Sequence, residues 1–295
     1  MRIEPVTPAN LPQAAYVHAL SWQESHRGIC SPAFIAAHTP QRQADMLNRE
    51  ILSGKHIYML TDGEPAAVVA IHRDVIEHLY VLPDRQSRGY GSELLSFAIQ
   101  HCQGTPTLWV LNANERAQRF YERRGFRATG VTKPLSDALC EIEMRLALRL
   151  APISAKNWQR VVFLTTEADG SCPLEMQAMM SPAFSLLQAA YEPGWECRLI
   201  EAEGEPVGFA FWRLDEDFGG PYLCRYMIDA RHQGKGWGRG ALYLVISAMR
   251  KQYGRRDIFL TLEEDNIRAK KLYTDLGFRP TGDTVEGEAV YILRS

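Results

Sequence analysis

The sequence predicts a mixed α/β protein of two tandem domains, each a mixed, mostly antiparallel sheet flanked by helices. Three observations lead to this fold class. The chain has 295 residues, which suits two domains of about 150 residues, each large enough for its own core. A strand, a glycine-rich turn and a helix in the first half recur in the same order in the second half. Hairpin signals precede both passages, which indicates antiparallel strands leading into a β-α-β-α segment. We therefore expect domains at residues 1–148 and 149–295.

In the first domain, alternating apolar residues and turn signals place seven strands and four helices. The Asp62-Gly63 pair is a strong hairpin signal between two of the strands. The strands are expected near residues 2–6, 57–61, 66–71, 76–82, 107–111, 126–132 and 139–146. Helices are expected from Asn10, with Asn10 as the capping residue, after Thr39-Pro40 as far as Gly54, over residues 89–101, and from Asn114.

The second domain repeats this order with a different beginning. Ser154 is expected to cap a helix through residues 158–164, and further helical turns are expected within residues 175–191. Strands are expected at residues 197–201, 206–214, 222–228, 278–283 and 288–294. The hairpin signal here is Glu203-Gly204.

Composition and charge argue against several functional classes. Hydrophobic residues at 46% and charged residues at 23% are ordinary globular values. A net charge of −2 gives no global basic field for nucleic acid or an anionic membrane. No apolar run has the length of a membrane helix, and the chain begins with a strand-like segment instead of a leader. We expect a cytoplasmic protein without nucleic-acid or membrane partners.

Cysteine and histidine are placed unfavourably for metal binding or for a hydrolase. The six cysteines are scattered without a C-x-x-C pair, so free thiols are expected and no metal site. His232 is the only histidine of the second half, and it lies within the glycine turn. A Ser/His/Asp or Cys/His hydrolase is therefore hard to build there.

The glycine turn of the second half is the segment that most strongly indicates chemistry. Gly234, Gly236 and Gly238 leave the backbone bare where a strand passes into an amphipathic helix. The first amides of a helix lack intrahelical partners and its dipole is positive at that end, so a phosphate can bind there. A plain tight turn is one alternative. The dinucleotide pattern G-x-G-x-x-A, which also fits residues 236–241, is another, but it belongs after the first strand of a parallel unit.

A second motif follows each turn and decides between these alternatives. In the second half a short helix carries Asn266, Ala269, Leu272 and Tyr273 and ends before Gly277-Phe278. In the first half the turn is Gln86-x-x-Gly89-x-Gly91, and the helix motif runs from Asn114 through Ala117, Phe120 and Tyr121 to Gly125-Phe126. Together, the turn and the helix resemble the two signature motifs of the GNAT superfamily of acyl-CoA-dependent N-acyltransferases. The chain therefore looks like a tandem repeat of two GNAT domains.

The resemblance implies an acetyl-CoA-dependent N-acetyltransferase acting on a primary amine. In the family, turn amides hold the pyrophosphate, the preceding strand binds pantetheine between two splayed strands, and the motif asparagine contacts the pantetheine arm. The cofactor residues implied in the first domain are Leu79, Val81, Gln86, Ser87, Arg88, Gly89, Tyr90, Gly91, Ser92 and Asn114. Those implied in the second domain are Tyr226, Ile228, Gln233, Gly234, Lys235, Gly236, Trp237, Gly238, Arg239 and Asn266.

The same resemblance makes Tyr121 and Tyr273 the proton donors to the CoA sulfur. The alternative is a core aromatic residue on an amphipathic helix. Glu77, on the strand entering the first turn, is the candidate base through a water molecule, and a solvated edge charge is its alternative. The residue at the same distance before the second turn is Cys224, so no base is identified in the second half.

The acceptor is the least determined part. The second half resembles bacterial polyamine (spermine/spermidine-type) acetyltransferases, in segments at 157–158, 185–191, 207–210, 225–229 and 282–288. An acidic groove would attract a polycation, and its candidate residues are Glu192, Glu196, Asp215, Glu216 and Asp217, with a solvated loop as the alternative. We expect a polyamine or another small amine as substrate.

Other functions and the assembly state stay open at this point. The alternative acceptors are an aminoglycoside-like antibiotic and a protein amino group. A CoA-binding scaffold or sensor, in which one half is non-catalytic, is the alternative to catalysis in both halves. The chain is expected to be a monomer with pseudo-dimeric halves or a homodimer.

Overall fold

A computed structural model describes residues 1–136, 139–166 and 181–295 of the chain. These residues form two compact units, each with its own seven-stranded sheet. The first unit consists of Met1–Arg119 and Arg127–Leu146, and the second of Phe120–Phe126 and Ala147–Ser295.

The first unit contains a mixed sheet in the order β1-β2-β3-β4-β5-β7-β6. Its strands are β1 (Arg2–Pro5), β2 (His56–Asp62), β3 (Glu64–His72), β4 (Val75–Val81), β5 (Thr107–Leu111), β6 (Phe126–Pro134) and β7 (Cys140–Leu146). Its helices are α1 (Leu11–Ser25), α2 (Pro32–Ala36), α3 (Pro40–Leu52), α4 (Tyr90–His101) and α5 (Glu115–Glu122), the last of which straddles the division between the units. A 3-10 turn at Pro83–Arg85 precedes α4.

The second unit repeats this strand order as β8-β9-β10-β11-β12-β14-β13. Its strands are β8 (Leu148–Pro152), β9 (Glu196–Ala202), β10 (Glu205–Asp215), β11 (Gly220–Ile228), β12 (Ile258–Leu262), β13 (Arg279–Val285) and β14 (Glu288–Leu293). Its described helices are α6 (Trp158–Val162), α7 (Pro182–Tyr191), α8 (Trp237–Tyr253) and α9 (Ile267–Asp275), and a 3-10 turn at Ala230–His232 precedes α8. The mixed fold predicted from the sequence is confirmed in both halves.

Helix starts follow the local sequence. Proline is the first residue of α2, α3 and α7, where its missing N–H costs nothing. The residue before each proline caps the helix: the hydroxyls of Ser31, Thr39 and Ser181 accept hydrogen bonds from backbone amides three residues on, at 3.1–3.3 Å.

The start of each unit differs in detail from the prediction. The side chain of Asn10 does not cap α1 but accepts from the Thr7 amide at 2.7 Å and donates to the Pro5 carbonyl at 3.2 Å. Asn157 makes the same pair of bonds with the Ser154 amide at 2.7 Å and the Pro152 carbonyl at 2.9 Å. Ser154 is therefore not the helix cap, because α6 begins at Trp158. The same turn, closed by an asparagine side chain, thus recurs in both units.

Three further elements bear on the sequence predictions. The short helix α2 was not predicted. Strand β8 was not predicted as a separate strand either, because only one residue separates it from β7. Of the helical turns predicted within residues 175–191, those at 182–191 form α7, while residues 175–180 lie outside the described residues.

The core of each sheet lies along its central strands. In β3, residues Ala66–Ile71 are buried in succession, as expected for a strand covered on both faces. In β10, residues Val207–Trp212 are buried in the same way. These strands pair with β4 and β11, which lead into the glycine turns.

The parallel strands of each unit open after a short contact. β4 pairs with β5 only at Val75↔Thr107 and Ile76↔Leu108. β11 pairs with β12 only at Tyr222↔Phe259. The remainder of β4 and of β11 therefore exposes one backbone edge toward a gap, which is the splay that the resemblance implied.

A β-bulge bends the entering strand at the same place in each unit. The register of β4 against β3 shifts between Ala70↔His78 and Ile71↔Ile76, which leaves Glu77 as the extra residue. The register of β11 against β10 shifts between Phe211↔Arg225 and Trp212↔Leu223, which leaves Cys224 as the extra residue. Bulges re-aim side chains beside functional sites, so Glu77 and Cys224 occupy equivalent positions at the two openings.

Two further observations concern the cysteines and the helices. Cys30, Cys102, Cys140, Cys197 and Cys224 are free thiols. No helix within the described ranges combines the length and the apolar character needed to cross a lipid bilayer.

Candidate functional site

The glycine corner of the second unit is open. Gly234 and Gly236 have φ of +74° and +79°, the left-handed region that glycine adopts without strain, and Gly236 is the N-cap of α8. A methyl group placed on Gly234 would meet no atom within 4 Å. The first amides of this long helix therefore face a space that a phosphate can enter.

Gly238 packs α8 against the other parts of the site. A Cβ at this position would lie 3.7 Å from Ile228, 3.9 Å from Leu272 on α9 and 4.0 Å from the Tyr226 hydroxyl. The Tyr226 hydroxyl donates a hydrogen bond to the Gly238 carbonyl. Strand β11, helix α8 and helix α9 thus meet at one glycine, which explains the spacing of the two motifs.

The corner of the first unit has the same path but a different residue at its first left-handed position. Ser87 has φ of +63° where the second unit has Gly234, and Gly89, the N-cap of α4, has φ of +89°. A non-glycine residue in this region costs roughly 1–2 kcal/mol. A Cβ on Gly89 meets nothing within 4 Å, so this corner is also open. Tyr90 fixes the helix start by donating to Asp62 at 2.7 Å.

The glutamine of each corner binds the protein's own backbone. The Gln86 amide donates to the Val81 carbonyl at 3.3 Å, and the Gln233 amide donates to the Ile228 carbonyl at 3.0 Å. Gln233 also donates to the Thr166 carbonyl at 2.9 Å. The structure therefore gives these predicted cofactor residues a structural role, which is to close the corner onto the end of the strand.

The asparagine of each second motif caps a helix. The Asn114 side chain accepts from the Ala117 amide at 3.1 Å, and the Asn266 side chain accepts from the Ala269 amide at 3.1 Å. Asn266 is the N-cap of α9. One lone pair of each side-chain oxygen is thus used by the helix, and the amide NH₂ group has no role in the cap, so it can serve the pantetheine contact implied by the resemblance.

The positive side chains at the corners differ in what they contact. Arg239 forms an ion pair with Asp275 of α9, which Lys271 also approaches at 3.6 Å. Arg88 and Lys235 are exposed beside the corners. Ser92, Trp237, Leu79 and Gly91, the other predicted cofactor residues, lie in the helix starts and the entering strand as the sequence indicated.

The two motif tyrosines are buried, and each contacts a phenylalanine edge to face. Tyr121 meets Phe126 edge to face at 5.8 Å, and Tyr273 meets Phe278 edge to face at 5.7 Å. Burial raises the pKa of Tyr121 to about 12. Burial, with smaller contributions from Tyr222 and Glu288, raises the pKa of Tyr273 well above its usual value. Both phenols are therefore protonated at neutral pH, as a proton donor must be.

The opening of the second unit is lined by residues that the motifs did not indicate. The hydroxyls of Tyr222 on β11 and Thr261 on β12 lie 2.9 Å apart. Thr261 stands opposite Val290 on β14, and Glu288 lies two residues before Val290, so the period of a strand places Glu288 on the same face. Only the strand register reveals this grouping.

The bulge residues differ chemically. In the first unit Glu77 lies 3.5 Å from Lys55, which is bound to Glu50 at 2.9 Å, and His78 approaches Glu50 at 3.2 Å. Although burial opposes it, hydrogen bonds from His78 and Lys55 lower the pKa of Glu50 to about 2. In the second unit burial raises the pKa of Cys224, so this thiol stays neutral. A carboxylate is thus present at the bulge of the first unit alone.

The acidic residues that the sequence suggested for a polyamine groove are largely paired. Asp215 is buried and bound to Arg213 at 2.6 Å. Glu192 accepts hydrogen bonds from Gln188 and Trp195 at 2.9 and 3.0 Å. Glu196 pairs with Arg198 at 2.6 Å. Asp215 and Glu196 thus have a cationic partner, whereas the two donors of Glu192 are neutral and leave its negative charge uncompensated.

Family comparisons match both halves of the chain. Residues 24–148 match the model described as acetyltransferase (GNAT) domain, and residues 162–278 match the model described as acetyltransferase (GNAT) family.

Individual relatives are similar at moderate identity. The spermine/spermidine N(1)-acetyltransferase of Bacillus subtilis (strain 168) is 39% identical over 97 residues, which cover 30% of this chain and 64% of that protein. The matched part is thus less than two thirds of this relative's length. The mycothiol acetyltransferase of Acidothermus cellulolyticus is 24% identical over 261 residues, which are 76% of either protein.

A solved structure gives the corresponding comparison of coordinates. The PaiA N-acetyltransferase from Thermoplasma acidophilum, in complex with coenzyme A, is 18% identical and has a TM-score of 0.39. The match covers 48% of this chain and 98% of that one.

Proposed function

The chain belongs to the GNAT family of N-acetyltransferases, with one domain of the family in each half, and from this premise we propose that it transfers an acetyl group from acetyl-CoA to a small primary amine. One observation carries the proposal: β11 separates from β12 after a single paired position, directly before the open glycine corner of α8. A gap beside an anion-binding helix start suits a thioester with a long arm and a diphosphate.

The residues of the second half fit acetyl-CoA. The bare amides at Gly234–Arg239 are suited to the diphosphate, and Lys235 adds a charge beside them. The backbone of Tyr226 and Ile228 lies on the edge that β12 does not cover. When bound there, acetyl-CoA supplies an acetyl thioester whose carbonyl carbon is open to an amine.

Tyr273 acts as the proton donor in this proposal. Its phenol is buried on α9, whose Leu272 packs on the corner glycine Gly238. Because its pKa is raised, it carries a proton throughout the neutral range and can give it to the leaving sulfur. The acceptor ammonium must lose its extra proton before the nitrogen can attack the thioester, so a base is also needed.

The first half is proposed to hold a second acetyl-CoA site with a different base. Its corner at Ser87–Ser92 is open at Gly89, and Tyr121 is proposed as its proton donor. Glu77 stands at the bulge of β4, 28% exposed and 3.5 Å from Lys55. This position supports Glu77 as the group that takes the amine proton, either directly or through water.

The acceptor is proposed to be a polyamine or another small amine. The similarity of part of the chain to a spermine/spermidine acetyltransferase supports a polyamine. The ion pairs of Asp215 and Glu196 argue against a broad acidic groove, so recognition of one ammonium group is a better fit than recognition of a long polycation. Aminoglycoside and protein amino groups are the competing acceptors.

The test is release of CoA thiol from acetyl-CoA in the presence of an amine panel, together with calorimetry of CoA binding. The panel contains spermine, spermidine, putrescine, an aminoglycoside and a lysine-containing peptide. We expect turnover with at least one small amine and uptake of CoA. Uptake of CoA without turnover of any panel member would favour the scaffold or sensor function, and no uptake at all would refute the proposal.

A further inference from the structure

Glu288 is a half-buried carboxylate at the opening of the second unit. It begins β14, and its neighbour Ala289 pairs with Leu262, the last residue of β12. Within the described part of the chain, its side chain takes part in no hydrogen bond or ion pair. Among the described residues, this carboxylate therefore keeps its acceptor positions for a ligand.

Glu288 lies close enough to three residues of the opening for its charge to raise their pKa values. Its charge adds to the raised pKa of Tyr273, after burial and Tyr222, and to that of Tyr222, which burial and Cys224 help raise to about 12. It likewise acts on Cys224, whose pKa is raised chiefly by burial. One carboxylate therefore acts on the proton donor, on the bridging tyrosine and on the bulge residue of the same opening.

Other acidic groups near the corner are already engaged. Asp275 pairs with Arg239, and Glu264 pairs with Lys270. Asp229 is buried and accepts from the Arg231 amide at 3.0 Å and its guanidinium at 2.8 Å. Among the described residues, Glu288 is a carboxylate without such a partner that lies on the face of β12 and β14 shared with Thr261.

The two units carry their candidate base on different strands. The first unit has Glu77 at its bulge, whereas the equivalent residue of the second unit is the neutral thiol of Cys224. We propose that Glu288 is the residue that binds the acceptor ammonium in the second half and takes its proton. This inference rests on the proposed acetyltransferase function and assigns the base that the second half otherwise lacks.

The proton balance is simple. The ammonium nitrogen loses two protons as it becomes an amide. Glu288 takes the first and releases it to solvent, which leaves a lone pair on nitrogen to form the C–N bond as the C–S bond breaks. Tyr273 protonates the leaving sulfur, and the second nitrogen proton restores the phenol.

The experiment isolates the second site before Glu288 is changed. Gly89→Glu places a side chain and a negative charge at the open mouth of the first corner, and calorimetry should then count one CoA per chain. Glu288→Gln is made in this background. Its matched control is Glu286→Gln, which alters an exposed glutamate of the same turn.

We expect Glu288→Gln to lower kcat/KM for the best amine of the panel by about 100-fold or more, as loss of a general base does. The acidic limb of the pH profile of kcat/KM should disappear. Binding of spermidine to the CoA-loaded protein, measured calorimetrically, should weaken at least about tenfold, while the Kd for CoA stays within about twofold. Glu288→Asp should restore part of the pH profile, and Glu286→Gln should match the background.

Two results would overturn parts of this account separately. If Glu288→Gln keeps the parental pH profile and spermidine affinity while the parent turns over amines, Glu288 is not the base and the acetyltransferase function stands. If the parent binds no CoA and turns over no amine, the proposed function fails and this assignment fails with it.

Discussion

The hydroxyl of Tyr222 lies 2.9 Å from that of Thr261 and joins β11 to β12 at the point where the two strands separate. The bond spans a gap that backbone hydrogen bonds no longer close. It therefore sets the width of the opening at its inner end. In the first unit Val75 and Trp109 stand at the corresponding positions, so this bridge belongs to the second unit.

Tyr222→Phe and Thr261→Val should each lower the free energy of unfolding by about 1 kcal/mol, the usual net value of a partly buried hydrogen bond. The double variant should lose little more than either single one, because both changes remove the same bond. Denaturant unfolding of the four proteins gives the coupling energy. Fully additive losses would show that the two hydroxyls do not stabilise each other.

Gly234→Ala tests the open corner. The added methyl group meets no atom within 4 Å, so the fold should lose only about 1–2 kcal/mol for a left-handed alanine. The Kd for CoA at the second site should nevertheless rise at least about tenfold, toward that of the first corner, because the methyl group lies over amides that a diphosphate must reach and Ser87 already carries a Cβ at the equivalent position.

Gly219→Ala is the matched control for this change. Gly219 has φ of +70° and also has open space around it, but it lies in the turn between β10 and β11. It should show the same loss of stability and an unchanged Kd for CoA. Equal effects of both variants on CoA binding would remove the corner from the cofactor site.

Tyr273→Phe should lower kcat of the second half by about 100-fold or more without changing the Kd for CoA, since only the proton for the leaving sulfur is lost. Because burial raises the pKa of this phenol, the native protein should show no alkaline loss of kcat from Tyr273 up to about pH 10, the ordinary tyrosine value. Tyr121→Phe is measured beside it and reports on the first half. Unchanged turnover in both variants would show that neither tyrosine donates the proton.

The sequence allowed the fold and the corners to be predicted because both depend on local signals. Short segments contain the left-handed glycines, the helix starts and the two motif tyrosines. The spacing of these residues along the chain is enough to recognise them. The tandem arrangement followed from finding those segments twice.

Contacts between distant strands could not be predicted in this way. Glu288 reaches the opening only because β14 pairs with β12 in one register, and a shift of one residue would turn its side chain to the other face. The bulges at Glu77 and Cys224 are likewise invisible in the sequence, since they depend on the length of the partner strand. The bond from Gln233 to the Thr166 carbonyl joins residues far apart in the sequence and could not be predicted for the same reason.

His18 should make the stability of the first unit depend on pH. It is buried on α1, edge to face with His78 at 5.1 Å and with Tyr80 at 4.7 Å, and neither ring nitrogen has a partner among the described residues. Burial, and then the neighbouring His78, lowers its pKa from 6.5 to about 3.

Between these values the unfolded chain binds a proton that the folded chain does not, so stability is fully present above about pH 6.5 and falls as the pH falls. From pH 7 to pH 5 the loss from this group should approach about 2 kcal/mol, at roughly 1.4 kcal/mol for each pH unit below the unfolded pKa. His18→Leu should remove this part of the slope in denaturant unfolding at the two pH values, whereas replacement of the exposed His56 by Leu should leave it in place. A slope unchanged by His18→Leu would mean that His26, whose pKa burial also lowers, or another group carries the effect.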